Sequence, residues 1–576
     1  MSRRWSRLRL LWRDLWACHA RTKAYINLDI AQILDDLGYD QAAARDVRAD
    51  GGTDIGSSPE AFDVGSKYGT RHRIGLFLGP LLFAVTLLIP TPEGLTTGGQ
   101  AVAAVTLWVA TWWITEAIPI PATSLLPILL LPLTGALSVF EATTPYANPI
   151  IFLFIGGFFL AQAMQRWGLH RRIALLTIKK VGTSPLRIIL GFMLATAFLS
   201  MWVSNTATVM MMLPIGLAVI YQTGTMVDAV EDVFEADRTK FPFGIALMLC
   251  IAYSASVGGV ATLIGSPPNI LFAGQVNELF GETVTFLEWM LYGVPIAIIG
   301  LAIVYLYVTK VAVPPKFDQL PTDIEHIDHE LTALGVMNRQ ERWVVVVFAG
   351  MATGWIGVSL LDQFDVIAIP ANADTLVAIA GALILFTIPT RTSSDEHTFL
   401  LDWSTAVKIP WGVIVLFGGG LSIAAGFGAT GLAGWIGEQL QLLAGIHTLI
   451  LLIIVVGVTI FLTEVTSNTA TAAILMPVLA GIAIGIGLHP FALMIAGATA
   501  ASFAFMLPVA TPPNAIVFGS GYLTIPQMAR VGIGLNLIGV ILIAMISYYW
   551  LPMAWGIDIG VIPPEFAHPI GYWFLG

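Results

Sequence analysis

Charged side chains are scarce in this chain of 576 residues. Asp, Glu, Lys and Arg make up 11% of it, against about a quarter of a typical soluble protein. The long stretch from Val465 to Ala529 contains none of them. It is long enough for two or three bilayer crossings of about 20 residues each. The scarcity of charge excludes a soluble enzyme, a nucleic-acid binder and a disordered chain, and it indicates a polytopic protein of the lipid bilayer.

Cysteine is nearly absent as well. The two cysteines, Cys18 and Cys250, lie far apart in the sequence, so neither a disulfide framework nor a cysteine-based metal site follows from them. Apolar residues, by contrast, make up 56% of the chain. The candidate functional groups are therefore to be sought among the few polar residues that interrupt the apolar segments.

Residues 1–73 form a polar leader, which we predict to be cytoplasmic. They hold 12 of the 27 Lys and Arg residues. Their apolar run is short and no small-residue cleavage site follows it, so a signal peptide is not indicated. A basic amphipathic helix on the inner leaflet and a solvated tail are equal alternatives. Residues 49–70 are rich in Gly, Ser and Asp and have the composition of a linker.

The rest of the chain predicts an all-α membrane protein, with eleven crossings and two pairs of apolar arms that turn back inside the membrane as re-entrant hairpins. The crossings are predicted near residues 74–90, 100–118, 121–139, 148–165, 242–277, 286–311, 342–361, 374–389, 410–428, 489–520 and 531–556. The arms are predicted at residues 185–203, 206–221, 446–466 and 469–487.

The distribution of basic residues predicts the orientation, since Lys and Arg favour the cytoplasmic side. Arg71 and Arg73 precede the first span, and a basic loop at 166–180 follows the fourth. If the arms do not cross the membrane, both segments fall inside, together with Lys408 and Arg530. The chain is then a multi-pass protein of the cell membrane, with its N-terminus in the cytoplasm and its C-terminus outside.

An internal repeat is the strongest signal in the sequence. The pentapeptide SNTAT at 204–208 recurs at 467–471, and the same offset aligns Pro214 with Pro477. Downstream, GSPPN at 265–269 recurs as ATPPN at 510–514. Five predicted crossings separate the copies, so the two copies enter the membrane from opposite sides. Inverted repeats with broken helices are typical of secondary transporters, whose binding sites lie at the midplane between the repeats.

The residue types in both motifs suit the binding of ions. A turn inside the membrane frees backbone groups, which are tolerated only within the protein or at a wet cavity. Ser, Asn and Thr cap helix N-termini, and helices starting at Thr206 and Thr469 would direct their positive ends at an anion. The consecutive prolines free carbonyl oxygens, which with hydroxyls suit a hard cation. Two such turns predict a small molecule with two anionic groups.

Few charged residues are available to compensate that anion. No Lys or Arg lies close to either tripeptide, so co-bound cations and helix dipoles would have to offset its charge. Glu464 either attracts cations or sits in a hydrogen-bonded network, and we favour the network. Ser200 and Thr463 lie four residues before the tripeptide serines, which predicts a shared helix face. The alternative for a tripeptide is hydroxyl bonding to the i−4 carbonyl with Asn joining helices, which its recurrence disfavours.

Four segments carry a resemblance to a known family. They are FLSMWVSNTATVMMMLPI (198–215), GGVATLIGSPPN (258–269), TEVTSNTATAAILMPV (463–478) and SFAFMLPVATPPNAIV (502–517). These resemble the divalent anion/sodium symporter family, which includes sodium-coupled dicarboxylate, citrate and sulfate carriers. The resemblance covers roughly residues 74–556, and the polar leader lies outside it.

The resemblance implies a homodimer in which a transport domain moves as an elevator against a scaffold domain. The implied domains are scaffold helices at 74–139, a first repeat at 148–311 with its tip at 204–206 and broken helix at 265–269, a cytoplasmic loop at 312–341, a second repeat at 342–556 with its tip at 467–469 and broken helix at 510–514, and a tail at 557–576.

The resemblance also implies the site residues. One Na+ site would use Ser200, Ser204, Asn205 and the carbonyl of Gly265. The other Na+ site would use Thr463, Ser467, Asn468 and the carbonyl of Ala510. The substrate carboxylates would meet Asn205, Thr206, Ser266, Asn468, Thr469 and Thr511, with Pro267 and Pro512 lining the same pocket.

We therefore predict a sodium-coupled symporter of C4-dicarboxylates such as succinate, malate or fumarate, with Na+ as the transported coupling ion. A sodium-independent dicarboxylate exchanger, or a sulfate or citrate carrier of the same fold, is the alternative. A Na+/H+ antiporter is a weaker one, because Glu464 is the only nearby acid. An enzyme is not predicted, since the candidate pocket offers neutral Ser, Thr and Asn in place of an acid, base or nucleophile.

Overall fold

The computed structural model describes residues 69–182, 184–226, 238–315, 331–364, 368–391, 397–441 and 445–566. Nearly all of the predicted leader, the acidic stretch at 228–237 and the second half of the tail at 557–576 lie outside these residues. The leader's last residues are described, and they belong to the first helix, which begins at Thr70.

Helices account for nearly all of the regular structure. The first half contains α1 Thr70–Leu88, α2 Thr97–Thr115, α3 Ile120–Thr123, α4 Leu126–Leu133, α5 Val139–Thr143, α6 Pro149–Arg166, α7 Leu169–Val181, α8 Pro185–Ser200, α9 Asn205–Met226, α10 Pro242–Gly259, α11 Pro267–Phe280 and α12 Phe286–Leu306. The second half contains α13 Arg339–Gln363, α14 Ala373–Thr387, α15 Trp403–Ala406, α16 Trp411–Thr430, α17 Leu432–Gln439, α18 Thr448–Thr463, α19 Asn468–Gly485, α20 Pro490–Ala501, α21 Pro512–Gly519, α22 Ile525–Met545 and α23 Leu551–Trp555. Strands β1 Pro389–Arg391 and β2 His397–Phe399 pair antiparallel.

The helices have the length and composition of membrane spans. In the described part of the chain, nine helical segments are long and apolar enough to cross a bilayer. The central one is α10, since 94% of it is buried, whereas only 11% of α1 is. The prediction of an all-α polytopic membrane protein is confirmed at this level. The first tripeptide lies beside this buried helix, because α10 packs against both α8 and α9.

The internal repeat reappears in the helix boundaries. The first pair of arms has α8 ending at Ser200 and α9 beginning at Asn205, and the second pair has α18 ending at Thr463 and α19 beginning at Asn468. Likewise, α11 begins at the first proline of GSPPN, Pro267, and α21 begins at the first proline of ATPPN, Pro512. The two offsets found in the sequence are therefore also offsets between helix ends.

Two predicted segments differ from the structure. The span predicted at 121–139 consists of the short helices α3 and α4 and ends at Leu133, because the chain turns at Gly135, where φ is +73°. The basic loop predicted at 166–180 is largely the helix α7. Its Arg172 is buried and pairs with Glu341 at 2.9 Å, and it also donates to the carbonyl oxygen of Gly335 at 2.8 Å.

Candidate functional site

The first tripeptide forms the turn between α8 and α9. Ser204 precedes α9, and its Oγ accepts a hydrogen bond from the backbone N–H of Ala207 at 3.3 Å, which is an N-cap. The hydroxyl of Ser200, the last residue of α8, lies 2.5 Å from Oδ1 of Asn205 and donates to the carbonyl oxygen of Ala255 in α10 at 2.8 Å. One hydroxyl thus ties the turn to the central helix.

The second tripeptide repeats this arrangement between α18 and α19. The hydroxyl of Thr463 lies 2.7 Å from Oδ1 of Asn468 and 3.2 Å from the carbonyl oxygen of Ala501. The predicted helix face shared with the tripeptide serines is wrong in both copies. Ser200 and Thr463 end their helices, so the chain has already turned when it reaches Ser204 and Ser467. The turn instead brings each hydroxyl onto the asparagine five residues later.

The two broken helices have equivalent geometry as well. Pro267 and Pro512 are the first residues of α11 and α21, where a missing N–H costs nothing. The loops before them are closed by the asparagine that follows each proline pair. Nδ2 of Asn269 donates to the carbonyl oxygens of Gly259 and Thr262 at 2.9 and 2.8 Å. Nδ2 of Asn514 donates to those of Ala504 and Leu507 at 3.0 and 3.1 Å.

These two asparagines were missed as contributors to the site. Both side chains are fully buried, and within the described ranges the Oδ1 atom of each has no hydrogen-bond partner. The signal that could have identified them is the third residue of the PPN motif, which is Asn in both copies and has the hydrogen-bonding capacity to hold two freed carbonyls.

Oxygen atoms converge around Asn205. The amide atom that faces Ser200 also lies 3.1 Å from the carbonyl oxygen of Gly265 and 3.2 Å from that of Ala255. A nitrogen in this place has all three oxygens within reach of its two N–H groups. An oxygen in this place completes a group of four neutral oxygens, which is the kind of ligand set that a hard cation prefers.

The remaining predicted residues lie at or just before the starts of the same four helices, α9, α11, α19 and α21. Thr206 and Thr469 are in the first turns of α9 and α19. Thr511 caps α21, since its hydroxyl accepts from the N–H of Asn514 at 3.2 Å, whereas the hydroxyl of Ser266 lies 2.9 Å from that of Ser502. Ala510 immediately precedes Thr511. Helix α9 packs against α21, and α19 packs against α11, so the second arm of each repeat contacts the broken helix of the other.

Glu464 holds the segment before the second broken helix. Its carboxylate accepts hydrogen bonds from the N–H groups of Phe505, Met506 and Leu507 at 2.7 to 3.0 Å, and from Nδ2 of Asn536 at 2.7 Å. The favoured prediction, a hydrogen-bonded network, is confirmed. The first repeat has Met201 at this position, and there the hydroxyl of Thr262 donates to the Met201 carbonyl.

The two tips differ in their surroundings. Trp202, two residues before Ser204, is 8% exposed and lies nearly parallel to Phe286 and Trp355, with ring centroids 6.1 and 6.3 Å away. Val465, which occupies the same place in the second tip, is 52% exposed. The first tip is therefore packed against its neighbours on the side where the second tip is open.

Helices of membrane-spanning length, interrupted twice by related polar turns beside broken helices, define a secondary transporter. The chain belongs to the sodium:sulfate symporter family, because the model of that family's transmembrane region matches residues 71–556. The predicted family resemblance is confirmed, and with it the prediction of a transporter that is not an enzyme.

The chain is also similar to two named relatives over most of their length. It is 45% identical to the sodium-dependent dicarboxylate transporter SdcS of Staphylococcus saprophyticus over 492 residues, which are 85% of this chain and 94% of the relative. It is 47% identical to SdcS of Staphylococcus aureus strain MRSA252 over 494 residues, again 85% of this chain and 94% of the relative.

Two solved structures also align with the chain. They are the YdaH transporter of Alcanivorax borkumensis, at 15% identity, and MtrF of Neisseria gonorrhoeae, at 12% identity. Both alignments cover 84% of this chain and have a TM-score of 0.48, and they cover 97% and 95% of the respective structures.

Proposed function

We propose that this protein is a sodium-coupled symporter of C4-dicarboxylates such as succinate, malate and fumarate. The observation that carries the proposal is a pair of hydroxyl–amide contacts, Ser200 with Asn205 and Thr463 with Asn468. In each pair the hydroxyl also contacts a backbone carbonyl of a neighbouring helix, α10 or α20. Relatives that are 45% and 47% identical bear the name sodium-dependent dicarboxylate transporter, which supports both the ion and the substrate class.

The proposed Na+ ligands are neutral oxygens in both repeats. In the first repeat they are Ser200, Ser204, Asn205 and the carbonyl of Gly265. In the second repeat they are Thr463, Ser467, Asn468 and the carbonyl of Ala510. The approach of the Asn205 amide to the Gly265 and Ala255 carbonyls supports the first set, since neutral oxygens would bind Na+ without adding a fixed negative charge that repels the dicarboxylate.

The proposed substrate site lies between the two tips. Its residues are Asn205, Thr206, Ser266, Pro267, Asn468, Thr469, Thr511 and Pro512. Both α9 and α19 begin at the tripeptide asparagine, so their N-terminal N–H groups and positive dipole ends are available to carboxylates. The ligand's two negative charges are then balanced by helix ends and by co-bound Na+, which couples the binding of ion and substrate.

The proposed architecture keeps eleven crossings, two re-entrant hairpins and a scaffold that begins with residues 74–139. The hairpins would be α8–α9 and α18–α19. Their first arms have 16 residues each, about 24 Å of helix, which is short of the roughly 30 Å hydrocarbon core. We further propose that the protein is a homodimer and that its transport domain moves as an elevator.

The decisive experiment is uptake into sealed vesicles. Proteoliposomes containing the purified protein should accumulate labelled succinate when Na+ is supplied outside, and accumulation should cease when K+ replaces it. Equal uptake without Na+ would contradict symport. Uptake that needs dicarboxylate inside the vesicle and ignores Na+ would favour the exchanger. Full inhibition by sulfate or citrate, with none by malate or fumarate, would favour the other substrate classes.

A further inference from the structure

Gly259, the last residue of α10, lies directly against the first tripeptide. A Cβ atom at this position would be 2.6 Å from Oδ1 of Asn205 and 2.9 Å from the carbonyl oxygen of Gly265. Real Cβ atoms essentially never make contacts below 3.0 Å. The φ of Gly259 is not positive, so the backbone would accept another residue. Space alone therefore requires glycine here.

The corresponding position of the second repeat is occupied differently. The carbonyl of Gly259 accepts from Asn269 in the first copy, and the carbonyl of Ala504 accepts from Asn514 in the second, so Ala504 is the counterpart of Gly259. Ala504 is fully buried and its methyl group is accommodated. Gly265 is likewise replaced, by Ala510. The segment 259–265 before α11 thus lacks two methyl groups that the segment 504–510 before α21 contains.

We propose that Gly259 is a positioning residue that sets the size of the first cation site, and that the two cation sites of this protein are for this reason unequal. The inference rests on the proposed function. Gly259 itself offers no ligand, because its carbonyl is taken by Asn269. It acts through Asn205 and Gly265, which can approach each other at 3.1 Å only while no methyl group stands between them and α10.

The test is the Na+ dependence of uptake by Gly259→Ala in proteoliposomes of the full chain. We expect the Na+ concentration for half-maximal succinate uptake to rise about tenfold or more, as is usual when a group that orients metal ligands is disturbed. The matched control is Gly457→Ala in α18, where the nearest atoms to a new Cβ are 4.0 Å away. A merely structural defect lowers the maximal rate and leaves half-saturation unchanged.

The outcomes separate the inference from the proposed function. If wild-type uptake ignores Na+, the proposed function fails. If wild-type uptake depends on Na+ and Gly259→Ala keeps the half-saturation of Gly457→Ala, only the role of Gly259 fails. If Gly259→Ala has no uptake, the Na+ concentration that half-maximally raises Tm in detergent is measured in its place, and an unchanged value again overturns the inference.

A double-mutant cycle covers the case in which Gly259→Ala folds poorly. Asn205→Ala removes the amide that the new methyl group would meet. We therefore expect Gly259→Ala to lower Tm less in the Asn205→Ala background than in the wild type, since contacting residues are not additive. An equal loss of Tm in both backgrounds would show that the methyl group does not act through Asn205, and it would overturn the inference.

Discussion

At the residue scale, Glu464 shows how one buried carboxylate can hold a loop inside the protein. Four N–H donors surround it, three of them from consecutive backbone groups. Hydrogen bonds to a charged acceptor are about twice as strong as those between neutral groups. These hydrogen bonds fix the segment Phe505–Leu507, which leads into Ala510 and Thr511. The first repeat achieves the same closure with the Thr262 hydroxyl and without a charge.

Replacement of Glu464 by Gln should destabilise the fold. The amide nitrogen of Gln would face a backbone N–H and leave it unpaired, so we expect a loss of about 2–4 kcal/mol. Tm in detergent measures the loss. The control is Glu438→Gln, whose side chain is exposed at the end of α17. Equal Tm values for the two variants would contradict the structural role of Glu464.

The sequence predicted the polar groups of the site but not their pairing. The spacing of Ser200 and Ser204 suggested one helix face, and the structure pairs Ser200 with Asn205 because the helix ends first. Helix ends inside a membrane depend on tertiary contacts, here with the carbonyl of Ala255. A short local pattern does not contain that information.

At the element scale, the loops between α10 and α11 and between α20 and α21 are each closed by one asparagine side chain. The Asn269 amide donates to the carbonyls of residues 259 and 262, and the Asn514 amide donates to those of residues 504 and 507. The carbonyls of Gly259 and Ala504 lie at or just past the ends of α10 and α20, where helical N–H donors run out, and the asparagine supplies a donor to each. The proline pair breaks the helix, and the asparagine after it makes the break rigid.

Asn269→Ala and Asn514→Ala should each cost stability, because each removes the side-chain donor to the carbonyl of Gly259 or Ala504 and one of the two donors to the carbonyl of Thr262 or Leu507. We expect losses of about 2–4 kcal/mol, at roughly 1–3 kcal/mol for the unsatisfied carbonyl and about 1 kcal/mol for the second hydrogen bond. Asn277→Ala is the matched control on α11, since its donated hydrogen bond lies at the exposed end of that helix. The readout is the unfolding midpoint in detergent, and control-like values for both variants would refute the bracing role.

The starts of α9 and α19 were predicted at Thr206 and Thr469, within one residue of Asn205 and Asn468, because a Ser before a helix is a start signal that a sequence displays directly. The proline pairs were predicted to break a helix, and in the structure they open α11 and α21. The helix α7 was not predicted, because a cluster of basic residues is also typical of a loop. The ion pair of its Arg172 is formed with Glu341, which lies far along the chain. No sequence spacing predicts an ion pair between residues so far apart.

At the scale of the whole molecule, the proposed topology places loops on defined sides of the membrane. Glu282 should be outside and Lys408 inside, because five proposed crossings separate the first from the cytoplasmic N-terminus and eight separate the second from it. Both side chains are exposed. Placement of both residues on the same side would contradict the inverted relation of the two tips, because three proposed crossings lie between them.

Single cysteines test this topology in a Cys18→Ser, Cys250→Ala background. We expect Glu282→Cys to react with a membrane-impermeant maleimide added to intact cells, and Lys408→Cys to react only after the membrane is opened. The two variants serve as controls for each other. Labelling of Lys408→Cys in intact cells would contradict the assignment of basic loops to the cytoplasm.

Because the two tips are packed unequally, moving the first tip away from its neighbours would cost more free energy than moving the second. A movement that separates the first tip from α13 would cost the stack of Trp202 on Trp355, whereas Val465 has no ring to stack. An aromatic pair is worth about 0.5–1.5 kcal/mol beyond burial, which corresponds to a population ratio of roughly 2 to 13. Without ligand, the carrier would then favour the conformation in which the first tip keeps this contact. A side chain outside the proposed ion and substrate sets would set that preference.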